Sequence, residues 1–189
     1  MKRSLLFTVI ALALSTAAFS QFVDAGANLP ALINSASLDF GDYDKDGDYD
    51  LLLAGQLELN GLPPVCHLYK YENDSFVKVN LTIKALYRSQ VKWIDAENDG
   101  DLDFIYTGST SNLGEFNTYI IKNVNGGLTP KLIIPLRGGF IETADLDKDG
   151  DEDIILSGAS GSADMAVFRN DCTSDSLIFT EMSNLFTPL

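Results

Sequence analysis

Residues 42–50 read DYDKDGDYD, and nearly the same phrase returns as DAENDGDLD over residues 95–103 and as DLDKDGDED over residues 145–153. Each copy carries a carboxylate at every odd position and a glycine at position six. Alternate carboxylates on a tight turn have one common physical use, which is to wrap oxygen ligands around a hard cation. Ca2+ is the ion that several anionic oxygens on a flexible loop suit, because Mg2+ demands a stricter octahedron. In the first copy Asp42, Asp44 and Asp46 point to one side, Gly47 allows the bend, and Asp50 closes the cage. Asp48, at position seven, offers its backbone carbonyl and turns its own charge outward. The second set is Asp95, Glu97, Asp99, Asp101 and Asp103; the third is Asp145, Asp147, Asp149, Asp151 and Asp153. Glu97 is the departure. Its extra methylene weakens that contact or routes it through a water, so the middle site is expected to be the weakest of the three.

These loops hold more than half of the chain's 27 acidic residues. Without a cation each would be a knot of like charges, so metal binding and loop folding are expected to be coupled. An acidic disordered tail is the competing explanation for such runs. It fails here because each run leads at once into an apolar segment: LLLAG from Leu51, FIYTG from Phe104 and IILSG from Ile154. Nor are these EF-hands, which need flanking helices and a bidentate Glu at position twelve. That position holds Leu53, Tyr106 and Leu156. SLDFGD before the first loop and DLLLAG after it read as two strands joined by a cation-binding turn.

The copies recur at about fifty residues, a period that belongs to propellers, solenoids or arrays. Two further strand candidates follow in each unit. They are CHLYKYEN from Cys66 and FVKVNL from Phe76, then NTYIIKNV from Asn117 and LTPKLIIPL from Leu128, then MAVFRN from Met165 and LIFTEM from Leu177. Turns fall at residues 73–75, 125–127 and 171–176. Four strands per unit is the content of a propeller blade. The expected fold is therefore all-β and propeller-like, with three four-stranded blades and a Ca2+ loop between the first and second strands of each.

With those motifs in place the chain resembles FG-GAP or VCBS-type repeats, the calcium-loop blades of integrin-α-like propellers and of many bacterial secreted proteins. Phe40-Gly41 stands where the family's FG pair stands, and Ala54-Gly55 near its GAP segment. The later copies read Trp93-Ile94 and Thr143-Ala144 instead, so there the resemblance rests on the metal loop and the strand after it. It covers nearly all of residues 21–189. The resemblance implies a non-catalytic adhesion or interaction module that meets an extracellular protein or glycan through loops on one face. The alternative is an accessory or catalytic propeller domain of a secreted carbohydrate- or polymer-processing enzyme.

Residues 1–20 have the layout of a secretory signal peptide: Lys2 and Arg3, the apolar run LLFTVIALAL from Leu5, then small residues. That run is too short to span a bilayer. The expected location is secreted, periplasmic or cell-surface, with residues 21–189 as the repeat domain. A net charge of −14 and the lack of any Lys/Arg cluster argue against nucleic acid. Cys66 and Cys172 fall two units apart and are expected to stay unpaired. Catalysis finds little support. His67 is the only histidine, GASGS from Gly158 lacks the second glycine of a nucleophile elbow, and Trp93 and Tyr106 read as core rather than as sugar platforms.

FVDAGANLPAL from Phe22, FVKVNLTIKAL from Phe76 and FTEMSNLFTPL from Phe179 resemble one another. The chain therefore starts and stops at the same point of its cycle. Three blades fall below the usual minimum of four for a ring, so a partial or truncated propeller is expected, completed by further blades, by self-association or by a partner over the end faces.

Overall fold

The computed structural model describes residues 26–57, 63–111, 114–124, 126–134, 138–158 and 165–182. Residues 1–20, expected to be a signal peptide, the residues of GASGS after Gly158, and residues 183–189 lie outside the described set. Twelve strands and no helix occur among the described residues. They form three four-stranded antiparallel sheets, each in simple sequential order. Sheet one holds β1 (Asn34–Gly41), β2 (Asp50–Gln56), β3 (Pro64–Glu72) and β4 (Ser75–Val79). Sheet two holds β5 (Tyr87–Ile94), β6 (Asp103–Ser109), β7 (Phe116–Val124) and β8 (Gly127–Ile134). Sheet three holds β9 (Phe140–Ala144), β10 (Asp153–Ser157), β11 (Met165–Asn170) and β12 (Phe179–Glu181). Each acidic loop joins the first strand of its sheet to the second.

The second strands DLLLAGQ and DFIYTGS are buried almost end to end, which is why they read as continuous apolar runs rather than alternating ones. They are covered on both sides. Leu52, Ala54, Cys66 and Leu68 of sheet one pack in one cluster with Val91, Trp93, Phe104, Tyr106 and Ile121 of sheet two and with Leu86 just before it. The other face of sheet two supplies Ile94, Ile105 and Ile120 to a second cluster with Ile141, Ile154, Leu156, Ala166 and Phe168 of sheet three. Trp93 and Tyr106 are core residues, as expected; Trp93 meets Phe104 edge-on with ring centres 5.5 Å apart. Cys66 and Cys172 are free thiols, and burial in the first seam pushes the Cys66 thiol up to about 12.

The segments before sheets one and two each lie over the sheet that follows. A Cβ on Gly108 would fall 2.7 Å from Leu86 Cβ, and one on Gly55 would fall 3.1 Å from Leu32 Cδ1. Leu32 thus holds on sheet one the place that Leu86 holds on sheet two. With Leu29 and Phe76 it packs over Leu51, Leu53 and Tyr69, on the side of sheet one turned away from sheet two. The similarity of FVDAGANLPAL to FVKVNLTIKAL therefore has a structural counterpart in these leucines.

Gly41, the glycine of the Phe-Gly pair, is buried where sheet two leans on sheet one. A Cβ there would lie 2.8 Å from both Trp93 Cδ1 and Leu102 Cδ1. The absent side chain is what lets the indole close over β1, and Tyr43 stacks on that indole from the loop, 6.2 Å away and nearly parallel. Gly41→Ala is expected to cost about 1–3 kcal/mol by overpacking, read as a lower denaturant midpoint at unchanged slope. Wild-type stability in this variant would show that the seam yields more easily than the packing indicates.

Candidate metal centres

Each loop is folded around its first carboxylate. Asp42 Oδ1 and Oδ2 accept from the Asp46 and Gly47 N–H groups, both at 3.0 Å. Asp95 accepts from Asp99 and Gly100 at 3.0 and 2.7 Å. Asp145 accepts from Lys148 and Gly150 at 2.6 and 3.3 Å. The turn needs left-handed backbone at positions four and six. Lys45, Asn98 and Lys148 have φ of 61°, 53° and 68°, and Gly47, Gly100 and Gly150 have 95°, 83° and 103°. The side chains at position five, Asp46, Asp99 and Asp149, then accept from the N–H two residues on.

Position nine does something the sequence pattern did not announce. Asp50, Asp103 and Asp153 are essentially inaccessible, and each accepts two backbone N–H groups from different elements. Asp50 takes Tyr43 N at 3.1 Å and Tyr71 N at 2.9 Å. Asp103 takes Ala96 N at 3.2 Å and Asn123 N at 2.7 Å. Asp153 takes Leu146 N at 3.0 Å and Asn170 N at 2.9 Å. One carboxylate thus ties the start of its loop to the third strand of its sheet. Burial pushes the Asp50 and Asp103 carboxyls up, against the pull of those N–H donors, and the Glu97 carboxylate raises Asp103 further.

Among the described residues, two trios place carboxylate oxygens within 4.8 Å of one another: Asp42, Asp44 and Asp50, and Asp145, Asp147 and Asp149. Both can hold a metal ion. Asp44 Oδ1 is moreover buried without a hydrogen-bond partner, an oxygen left free for a ligand. The middle loop is arranged differently. Its Glu97 side chain is buried and forms an ion pair with the Lys122 ammonium, which sets a cation from the protein itself beside this loop.

Lys122 has counterparts that sequence reading passed over. In sheet one Lys70 reaches Asp44 at 2.6 Å, Asp46 at 3.4 Å and Glu72 at 2.9 Å. In sheet three Arg169 grips Asp171 at 2.8 Å. These carboxylates hold the Lys70 proton tightly, Asp44 first. The available signal was a basic residue recurring near the end of every third strand, in YKYEN, IIKNV and VFRND.

Position seven faces outward and links neighbouring loops. Lys45 Nζ of the first loop lies 2.6 Å from Asp101 of the second, and Asn98 Nδ2 of the second donates to Asp151 of the third at 2.9 Å. The third strands add a second clasp. Asn123 Nδ2 donates to Tyr43 O at 3.2 Å, and Asn170 Nδ2 to Ala96 O at 3.0 Å, each reaching the loop of the preceding sheet.

His67 is held locally: Lys78 Nζ lies 2.8 Å from its Nε2 and Tyr69 Oη 3.2 Å from its Nδ1, with burial and then the Lys78 charge lowering its basicity. No helix among the described residues is long and apolar enough to cross a membrane. No protein-family model matches the chain, and no curated protein matches it.

The two kinds of loop acid are expected to separate cleanly on substitution. Asp153→Ala strands the buried Asn170 N–H and the part-buried Leu146 N–H and should cost upward of about 2 kcal/mol, whereas Asp151→Ala, at a half-buried position, should cost less than about 1 kcal/mol. Urea unfolding in chelator checks both, and equal costs would contradict the assigned roles.

Proposed function

We propose that this chain is a secreted, calcium-stapled repeat protein of the FG-GAP or VCBS type, a partial β-propeller acting as an adhesion or interaction module for an extracellular protein or glycan. The observation that carries the reading is the trio Asp42, Asp44 and Asp50, with a buried Asp44 oxygen lacking a hydrogen-bond partner, at the joint between the first two strands of a sheet. The third loop also gathers a trio, from positions one, three and five where the first loop uses one, three and nine. Oxygen-only ligands on a flexible turn suit Ca2+. Asp42, Asp44 and Asp50 would hold one ion and Asp145, Asp147 and Asp149 another, with a further, weaker site at Asp95, Glu97 and Asp99. The ion's chemistry is structural: it cancels the charge that the loops concentrate. Sequential sheet order and the apolar seams on both sides of sheet two support stacking of the sheets as blades. The leader layout of residues 1–20 supports export.

Recognition is assigned away from the metal end. A cavity of about 420 Å³ opens where the strands begin, at the opposite end from the acidic loops, lined by Ser35, Arg88, Gln90, Phe116, Phe140 and Ser157. Arg88 lies 4.6 Å above the Phe116 ring there, and Ser35 and Arg88 take left-handed backbone at bulges in β1 and β5. Strained residues gather at ligand sites more often than elsewhere. This is the surface on which a partner's contacts are best sought.

Calcium is expected to raise the melting temperature and chelator to lower it, each filled site adding about 2.7 kcal/mol at a hundredfold excess over its Kd. Asp44→Asn and Asp147→Asn should each remove one site by calorimetry at a cost to the metal-free protein of less than about 1 kcal/mol, because an amide oxygen can still accept from Asp149 N at position 147 and only the Lys70 ion pair is lost at position 44. Identical melting in calcium and in chelator would sink the calcium reading.

A further inference from the structure

The repeat supplies an internal standard for every surface position. Four and two residues before the first loop aspartate stand Leu38 and Phe40 in sheet one and Val91 and Trp93 in sheet two. Val91 and Trp93 are 4% and 6% exposed because they lie against sheet one. Leu38 and Phe40 are 56% and 52% exposed. Their ladder partners are Leu53 and Leu51, so they project from the side of sheet one turned away from sheet two. Sheet three shows the converse. Met165 pairs with Ser157 as Cys66 pairs with Ala54 and Thr118 with Thr107. Cys66 and Thr118 are buried, whereas Met165 is 47% exposed and Phe140, also paired with Ser157, is 72% exposed. The described structure thus has a rear face and a front face, each built as half of an interior seam.

The charges match as well. Position four of each loop reaches position seven of the next, through Lys45 to Asp101 and Asn98 to Asp151. That leaves Lys148 at position four of the third loop and Asp48 at position seven of the first. Neither side chain has a partner among the described residues. They belong to the front and rear sheets respectively, and they carry opposite charges.

We propose that the front face of one copy docks on the rear face of a second, Lys148 of one beside Asp48 of the other, and that two copies close a ring. The proposal rests on the blade reading above. Two copies of the three described sheets make six blades, inside the usual range of four to eight. A rear-to-front contact must close in this way or grow into a filament. The seam between copies is weaker than those within the chain, because Tyr71 stands where Asn123 and Asn170 donate to the preceding loop. Its formation should therefore depend on concentration.

The test is sedimentation of the full chain, expressed with its own leader, in calcium and in chelator. The mass of two chains is expected, falling to one on dilution. Leu38→Glu with Phe40→Glu, and separately Met165→Glu, should each be largely monomeric with wild-type circular dichroism, since these residues are already exposed. Mixing the two variants should restore two-chain species, as one intact seam remains. Lys148→Glu should weaken association at least about tenfold, and adding Asp48→Lys to that chain should restore it. A chain monomeric at every concentration, face variants that associate like wild type, or species that keep growing with concentration would overturn the ring. A monomer still stabilised by calcium would overturn it while leaving the calcium-loop reading intact, and a dimer indifferent to calcium would do the reverse.

Discussion

The rest of the structure depends on a buried carboxylate that accepts two backbone N–H groups at once. Asp50, Asp103 and Asp153 each take one donor from the second residue of their own loop and one from the third strand. Burying an ionised group is unfavourable unless its lone pairs are occupied, and two short N–H contacts occupy them. Because one donor lies in the loop and the other in the sheet, the loop cannot be displaced without exposing an unsatisfied strand. The acidic turn is thereby part of the sheet, and every side chain it presents is fixed relative to the apolar seam beneath it.

From that joint the two levels of packing diverge. Below it, seams of Leu, Ile, Val and aromatic residues hold neighbouring sheets together by area, and Gly41 sets how closely they approach. Above it, contacts between loops are few, polar and directional: Lys45 to Asp101, Asn98 to Asp151, and the asparagine clasps from β7 and β11. The apolar layer supplies most of the stability. The polar layer sets register, because a shift of one loop against the next leaves these donors without acceptors.

Much of this was legible in the sequence, for reasons specific to the residues involved. The strand content and the place of each loop between first and second strands follow from apolar strand-like runs beside glycine-centred acidic turns, and β2, β6 and β10 begin at position nine of their loops. The hairpin at Asn73 and Asp74 was marked by residues that tolerate left-handed backbone, and both adopt it. What escaped were relations between repeats. Nothing local to YKYEN says that Lys70 will lie against Asp44, and nothing in Asn98 says that it will reach Asp151, because those contacts are made across sheets or across a loop and a distant strand. The loop spacing makes the position-nine aspartates cage members; their double backbone role depends on how β3, β7 and β11 run past them.

The lead-in leucines carry a consequence for how the chain assembles. Leu29 and Leu32 precede sheet one in the sequence, as Ile83 and Leu86 precede sheet two, and each pair covers apolar surface of the sheet that follows it or lies in that sheet's seam. A chain emerging from its N-terminus therefore brings each cover into position before the surface it protects has formed. Once sheet one has formed, its leading apolar face is the next to be covered, and the lead-in residues Ile83 and Leu86 are the first to reach it. Folding can advance from sheet one to sheet two in the direction of synthesis, the leading face being closed while Leu38 and Phe40 at the rear stay uncovered.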